Sequence, residues 1–152
     1  MRLENRVGLV VGVANADSIA TGCAAAFARE GANLVLTYQN DDALPYVRPV
    51  AETVGAAELL PLDVTEPEEI DAVFDRIATR WRRLDFLLHS VAFCPQDDLH
   101  ARVVDCSAGG FALAMDVSCH SFLRLVRKAE PLMRDGGSLL TVSYIGAEKV
   151  VD

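Results

Sequence analysis

Basic residues are scarce: 14 Lys and Arg stand against 22 Asp and Glu, for a formal net charge of -8. Nucleic acid needs a cationic surface to meet its phosphates, so that class of partner is disfavoured, and an anionic membrane surface with it. Long apolar runs are missing as well. No stretch approaches the about 20 residues that a spanning helix requires. The N-terminus, Met1-Arg2-Leu3-Glu4-Asn5-Arg6, leads directly into a strand-like run without the cleavage region of a secretory signal. A cytoplasmic protein with neither nucleic acid nor membrane as partner is expected. The four cysteines, Cys23, Cys94, Cys106 and Cys119, show no Cys-x-x-Cys spacing, so they read as reduced thiols packed as small apolar side chains. His89, His100 and His120 are scattered, and no metal site is expected. Repeats, low-complexity segments and composition shifts are absent too, which leaves one domain over residues 1–152.

What is present is apolar material in alternating periods. Just over half of the residues, 51%, are hydrophobic, ample for one core. Val7-Gly8-Leu9-Val10-Val11 has the run of a strand buried on both faces. Ser18 can cap a helix in which Ile19, Cys23, Ala24 and Phe27 recur at helical spacing, and Gly31 marks its end. A second strand covers 33–38. The next helix, 43–54, contains Pro49, which should break or kink it. A third strand is expected over 58–62. Thr65, followed by Pro67, Glu68 and Glu69, opens a helix whose apolar stripe is Ile70, Val73, Phe74, Ile77 and Trp81. A fourth strand over 86–91, a long helix over 109–133, Gly136-Gly137 and a fifth strand over 138–144 complete the pattern. Strands alternating with crossover helices predict an α/β fold, a Rossmann-like doubly wound parallel sheet of five strands in the order 3-2-1-4-5.

In such a sheet the turn after the first strand is where a pyrophosphate rests on a helix N-terminus. Here that turn reads Gly12-Val13-Ala14-Asn15-Ala16-Asp17-Ser18-Ile19-Ala20-Thr21-Gly22. Its spacing is not G-x-G-x-x-G, and a glycine at a strand-to-helix turn also serves as plain punctuation. Several other residues have two readings. Gln39, ending the second strand, is either a solvated loop residue or an amide placed to bond ribose hydroxyls. Asp63 is either a cap for the next helix or an acceptor facing the cofactor. Tyr144, ending the last strand, is either a packing residue or a hydroxyl available for proton transfer.

The ordered set of motifs decides among these. Gly12 with Ser18-Ile19-Ala20 and Gly22, Thr37-Tyr38-Gln39-Asn40-Asp41, Asp63-Val64, His89-Ser90-Val91-Ala92-Phe93, Asp116-Val117-Ser118 and Ser143-Tyr144-Ile145-Gly146-Ala147-Glu148 follow one another along the chain. Together they resemble bacterial NADH-dependent enoyl-acyl-carrier-protein reductases, a divergent branch of the short-chain dehydrogenase/reductase superfamily. An ordinary ketoreductase of that superfamily fits less well, because Asn-Ala-Gly is missing after the fourth strand. The resemblance implies NADH as cofactor, an enoyl thioester borne on acyl carrier protein as substrate, and a place in fatty acid biosynthesis. It implies cofactor contacts at Gly12, Ser18, Ile19, Gln39, Asp63, Val64, Ser90 and Val91, and substrate contacts at Ala92 and Cys94. It implies Tyr144 as the catalytic hydroxyl. No Arg or Lys occurs between Thr37 and Leu44 to meet a 2′-phosphate, which favours NADH over NADPH. The family commonly has Gly at the position of Ala92, so the pocket there is narrower by a methyl group. Its second tyrosine and its lysine fall, by count from Tyr144, beyond Asp152. The expectation is therefore an N-terminal portion, an incomplete dinucleotide-binding domain, with NADH binding without turnover as the alternative to an active reductase. Phe111, Met115, Phe122, Leu123, Val126 and Met133 spread over more of the long helix than one sheet face covers, so a homo-oligomer through that helix is expected.

Overall fold

Every residue of Val7–Val11 is buried, as in a strand covered on both faces. This segment, β1, is the centre of the sheet in the computed structural model, which describes residues 2–150. Around it lie β2 (Asn33–Tyr38), β3 (Glu58–Pro61), β4 (Phe86–His89) and β5 (Ser138–Thr141), all parallel, in the spatial order β3-β2-β1-β4-β5. The expected topology is thus observed. Side chains alternate across the pleat. Val7, Leu9 and Val11 face one core with Ile70, Phe74, Ile77 and Leu125. Val10, Leu34, Leu36 and Leu88 face the other with Ala20, Ala24, Val47 and Val50. Helices α1 (Ile19–Arg29) and α2 (Leu44–Val54) therefore cover one face, and α3 (Pro67–Trp81) covers the other together with the helical segment near the C-terminus. Gly8 pairs with Phe86 across the β1–β4 ladder. A Cβ there would lie 2.0 Å from the Phe86 ring, so the glycine makes room for that ring to pack on Phe27, 4.7 Å between centroids.

Several boundaries differ from the sequence expectation. The strands are shorter at their C-terminal ends: β3 stops at Pro61, β4 at His89 and β5 at Thr141. The residues beyond β3 and β4 turn away to form the rim of a cleft. Pro49 does not break α2, which runs through it from Leu44 to Val54. The carbonyl that loses its partner belongs to Pro45, and both prolines lie on the exposed side, where it is open to water. Helix α3 starts at Pro67 rather than Thr65, and its N-cap, Glu66, makes no side-chain capping bond. Asp63 is not a helix cap. Its carboxylate folds back on Thr65, accepting from the amide at 2.8 Å and from the hydroxyl at 2.7 Å.

The long helix is a composite. After two short turns not expected from sequence, α4 (Gln96–Leu99) and a 3₁₀ turn at Val103–Asp105, it opens as α5 (Ala108–Met115). It then widens into a π turn (Asp116–His120), continues as α6 (Ser121–Ala129) and ends in a 3₁₀ turn at Glu130–Leu132. Ser107 starts it by accepting from the Gly110 amide at 2.9 Å, and Asp98 in turn accepts from the Ser107 hydroxyl. Strand β5 lies at the sheet edge with all four residues exposed.

Candidate functional site

A cleft of about 380 Å³ opens over the C-terminal ends of β1, β2, β3 and β4. Strand order reverses between β1 and β4, and a crevice at such a reversal is where open α/β sheets take their ligands. Its floor is Val11, Gly12, Val13 and Ala14; one wall is Thr37, Gln39 and Leu62 to Thr65; the other is Val91, Ala92 and Phe93, closed by Leu113 of α5 and Val117 of the π turn.

The floor is shaped by one glycine. Gly12 has φ +100°, and a Cβ on it would meet the Ser90 carbonyl oxygen at 2.0 Å, so the chain leaving β1 passes directly against the chain leaving β4. Beyond it, Asn15 organises the turn into α1. Its side-chain oxygen accepts from the Asp17 amide at 2.9 Å, and its carbonyl accepts from the Thr21 hydroxyl at 2.7 Å and the Ser18 hydroxyl at 3.1 Å. Ser18 is the N-cap, as the sequence predicted, and its oxygen accepts from the Thr21 amide. The Ile19 and Ala20 amides then head the helix without an intrahelical acceptor, which leaves its N-terminus suited to an anion.

The opposite wall is polar. Gln39 donates through Nε2 to Asp63 Oδ2 at 3.2 Å, and the Asp63 amide donates to Glu69 at 2.6 Å. Partial burial alone would raise the Asp63 carboxyl, but bonds from Thr65 and Gln39 outweigh it and hold the group below the usual carboxylate range. Asp63 is thus an ionised acceptor with lone-pair capacity to spare.

Behind the floor, His89 is fully buried. Its Nε2 lies 2.7 Å from Ser121 Oγ, which itself donates to the Val117 carbonyl at 2.6 Å. Ser121 must therefore accept from Nε2–H, and Nδ1 accepts from the Thr141 hydroxyl at 3.1 Å. The ring is a neutral tautomer, and burial pushes its pKa down. Ser118 performs a parallel task at the rim: its oxygen accepts from the Phe93 amide at 2.9 Å and its hydroxyl donates to the Phe93 carbonyl at 3.1 Å.

Of the residues singled out from sequence, Gly12, Gln39, Asp63, Val64, Val91 and Ala92 line the cleft. Ser18 and Ile19 stand at the helix start beside it, and Ser90 packs on Gly12 from behind. Cys94 is half-buried outside the lining residues, and all four cysteines are free thiols. Tyr144 is not brought in: it is 69% exposed beyond the end of β5, and among the described residues no hydrogen bond reaches its side chain. Sequence reasoning missed Thr37, Ala43, Leu113 and Val117 as lining residues and Arg124 behind them. Ala43 and Leu113 are small or aliphatic and carry no chemical signal, Thr37 and Val117 were read only as parts of their motifs, and Arg124 meets the Val64 carbonyl across 60 positions of chain.

A family model described as enoyl-(acyl carrier protein) reductase matches residues 12–152. The NADH enoyl-acyl-carrier-protein reductase of Rickettsia bellii is 42% identical over 149 residues, 98% of this chain and 57% of that protein. NADH enoyl-acyl-carrier-protein reductase 1 of Rhizobium meliloti is 42% identical, with 98% of this chain and 55% of the relative covered. Among solved structures, the enoyl-acyl-carrier-protein reductase of Anaplasma phagocytophilum in complex with NAD superposes with a TM-score of 0.95 at 45% identity, over 99% of this chain and 58% of that one. The chain thus spans a little over half the length of the relatives it matches. With its sheet order, its cleft and these matches in agreement, it belongs to the enoyl-acyl-carrier-protein reductase family.

Proposed function

We propose that residues 1–152 form the dinucleotide-binding part, one incomplete domain, of an NADH-dependent enoyl-acyl-carrier-protein reductase acting in fatty acid biosynthesis. The carrying observation is the cleft itself: a glycine floor leading to a capped helix N-terminus on one side, and the Gln39–Asp63 pair on the other. The fit to a dinucleotide is chemical. Gly12 keeps the floor low, and the Ser18–Ile19 end of α1 offers amides to a pyrophosphate. Gln39 has a second amide proton and a carbonyl for ribose hydroxyls, while Asp63 and Val64 border the place for adenine. Backbone at Ser90 and Val91 serves the nicotinamide end, and Ala92 and Cys94 the acyl substrate.

NADH, when bound, supplies a hydride for the β-carbon of a trans-2-enoyl thioester. The protein's share is to orient, to exclude water and to place a proton donor, for which Tyr144 is the assigned residue. Of the apolar residues of the long helix, Phe122, Val126 and Met133 pack against the core, and we assign the exposed Phe111, Met115 and Leu123 to self-association along α5 and α6. A second reading, NADH binding without turnover, draws support from the exposure of Tyr144.

The two readings separate in one assay with NADH and crotonyl thioester. Steady NADH oxidation, slowed about 10²–10⁴-fold by Tyr144→Phe, supports the reductase with Tyr144 as acid. Saturable NADH binding without oxidation supports the binding module, and failure to bind NADH overturns both.

A further inference from the structure

We propose that Arg124 is the positioning residue of the cleft, a single guanidinium that pins the Asp63–Thr65 wall to the π turn on the other side. The inference rests on the reading above only in naming the ligand. Arg124 Nη2 donates to the Val64 carbonyl at 3.0 Å. The same group and Nη1 hold the Asp116 carboxylate as a fork, at 3.2 and 2.7 Å. Nη1 also lies 3.0 Å from His120 Nδ1, where it can donate while that nitrogen is unprotonated. Val64 and Val117, the residue after Asp116, both line the cleft. Arg124 itself does not, so it acts through them.

Three features make this more than a surface ion pair. First, the turn after β3 bonds within itself through Asp63 and Thr65, to α3 through Glu69, to Gln39 just after β2, and to β2 itself through the Tyr38 carbonyl. Among the described residues, Arg124 alone joins it by hydrogen bonds to the α5–α6 side. Second, the Arg124 Nε is buried without a partner, a costly arrangement that the contacts of both Nη groups offset. Third, the π turn makes the fork possible. Asp116 and Arg124 are eight positions apart, and eight α-helical steps miss two full turns by about 80°. The residue inserted by a π turn reduces this to about seven steps, within about 20° of two full turns, so Arg124 returns to the face of Asp116. Asp116 is held below the usual carboxylate range chiefly by that bond from Arg124. Lysine lacks the planar fork that serves a carboxylate and a carbonyl at once.

The test compares the unmodified chain with Arg124→Met, which keeps the stem, and Arg124→Lys, which keeps the charge. Calorimetric affinity for NADH and for ADP-ribose, amide hydrogen exchange of the free chain and the melting temperature are measured for each. The expected result is a roughly tenfold weaker affinity for both ligands in the Met variant, with faster exchange confined to Asp63–Glu66 and Asp116–His120, and no recovery with Lys. Unchanged affinity with unchanged exchange overturns the proposal. So does exchange that rises throughout the chain in step with a fallen melting temperature, since that is loss of stability alone. If the unmodified chain binds neither ligand, the cofactor reading falls. Exchange then decides Arg124 by itself: a local rise in the Met variant supports it, and no rise overturns it.

Discussion

His89 carries a titratable ring into a place with no exposed surface, and both ring nitrogens are committed, Nε2 to Ser121 and Nδ1 to Thr141. Its proton inventory makes stability depend on pH in a predictable direction. In the folded chain the pKa is pushed down by burial, whereas an unfolded imidazole titrates near about 6.5. As pH falls through about 6.5, the unfolded chain takes up a proton that the folded chain refuses, so stability drops until the lowered folded value is reached. Above that window the contribution is fully present. Asp63 behaves differently, because its depressed carboxyl stabilises the fold above the ordinary carboxylate range and loses that contribution only as pH falls through its folded value. Urea titrations at about pH 8 and about pH 5.5 should therefore show a decline for the unmodified chain that His89→Asn largely abolishes. An equal decline in both would place the sensitive group elsewhere. None of this was legible in the sequence, where His89 is one of three scattered histidines. Its partners lie 32 and 52 positions away, and only the sheet brings them together.

At the scale of elements, periodicity and caps were reliable guides, and strand ends were not. Ser18 announced α1, and the stripe of Ile70, Val73, Phe74 and Ile77 announced α3, because both depend on neighbours a few positions away. The ends of β4 and β5 were overread, since Ser90, Val91 and Val142 are as compatible with a strand as His89 or Thr141. After β4 the backbone turns into the cleft rim, where Val91, Ala92 and Phe93 line it. Similarly, Asp116-Val117-Ser118 stood out as a motif, but the π turn it forms left no mark in helical spacing. Pro49 does not break its helix, because the bond it lacks falls on the solvent side, where the freed carbonyl is open to water. A substitution tests that explanation. An interior proline costs a helix up to about 3 kcal/mol relative to alanine, and its rigidity returns about 0.4–1 kcal/mol through the unfolded chain. Pro49→Ala should raise unfolding free energy by about 1–2 kcal/mol. A loss of stability would mean that the proline ring contributes packing that its exposure does not suggest.

The molecule as a whole combines a firmly built half with an uncovered one. Both faces of β1, β2 and β4 are sealed by helices, while β5 is exposed along its length and Phe111, Met115, Leu123, Tyr144 and Ile145 lie open to solvent. Among the described residues, no helix is long and apolar enough to cross a membrane. The cleft belongs to the sealed half, with lining residues drawn from β1, β2, the turns after β1 to β4, α5 and the π turn. On the proposed reading, the cleft takes NADH and discriminates against the extra phosphate of NADPH, because the Gln39 wall offers it no cation. Calorimetric titration of the chain with each cofactor, alongside Gln39→Arg, tests that claim directly. Saturable one-to-one binding is expected, with NADH tighter than NADPH and a gap that narrows in the Arg variant. No saturable binding of NADH, or equal affinity for the two cofactors in the unmodified chain, would contradict it.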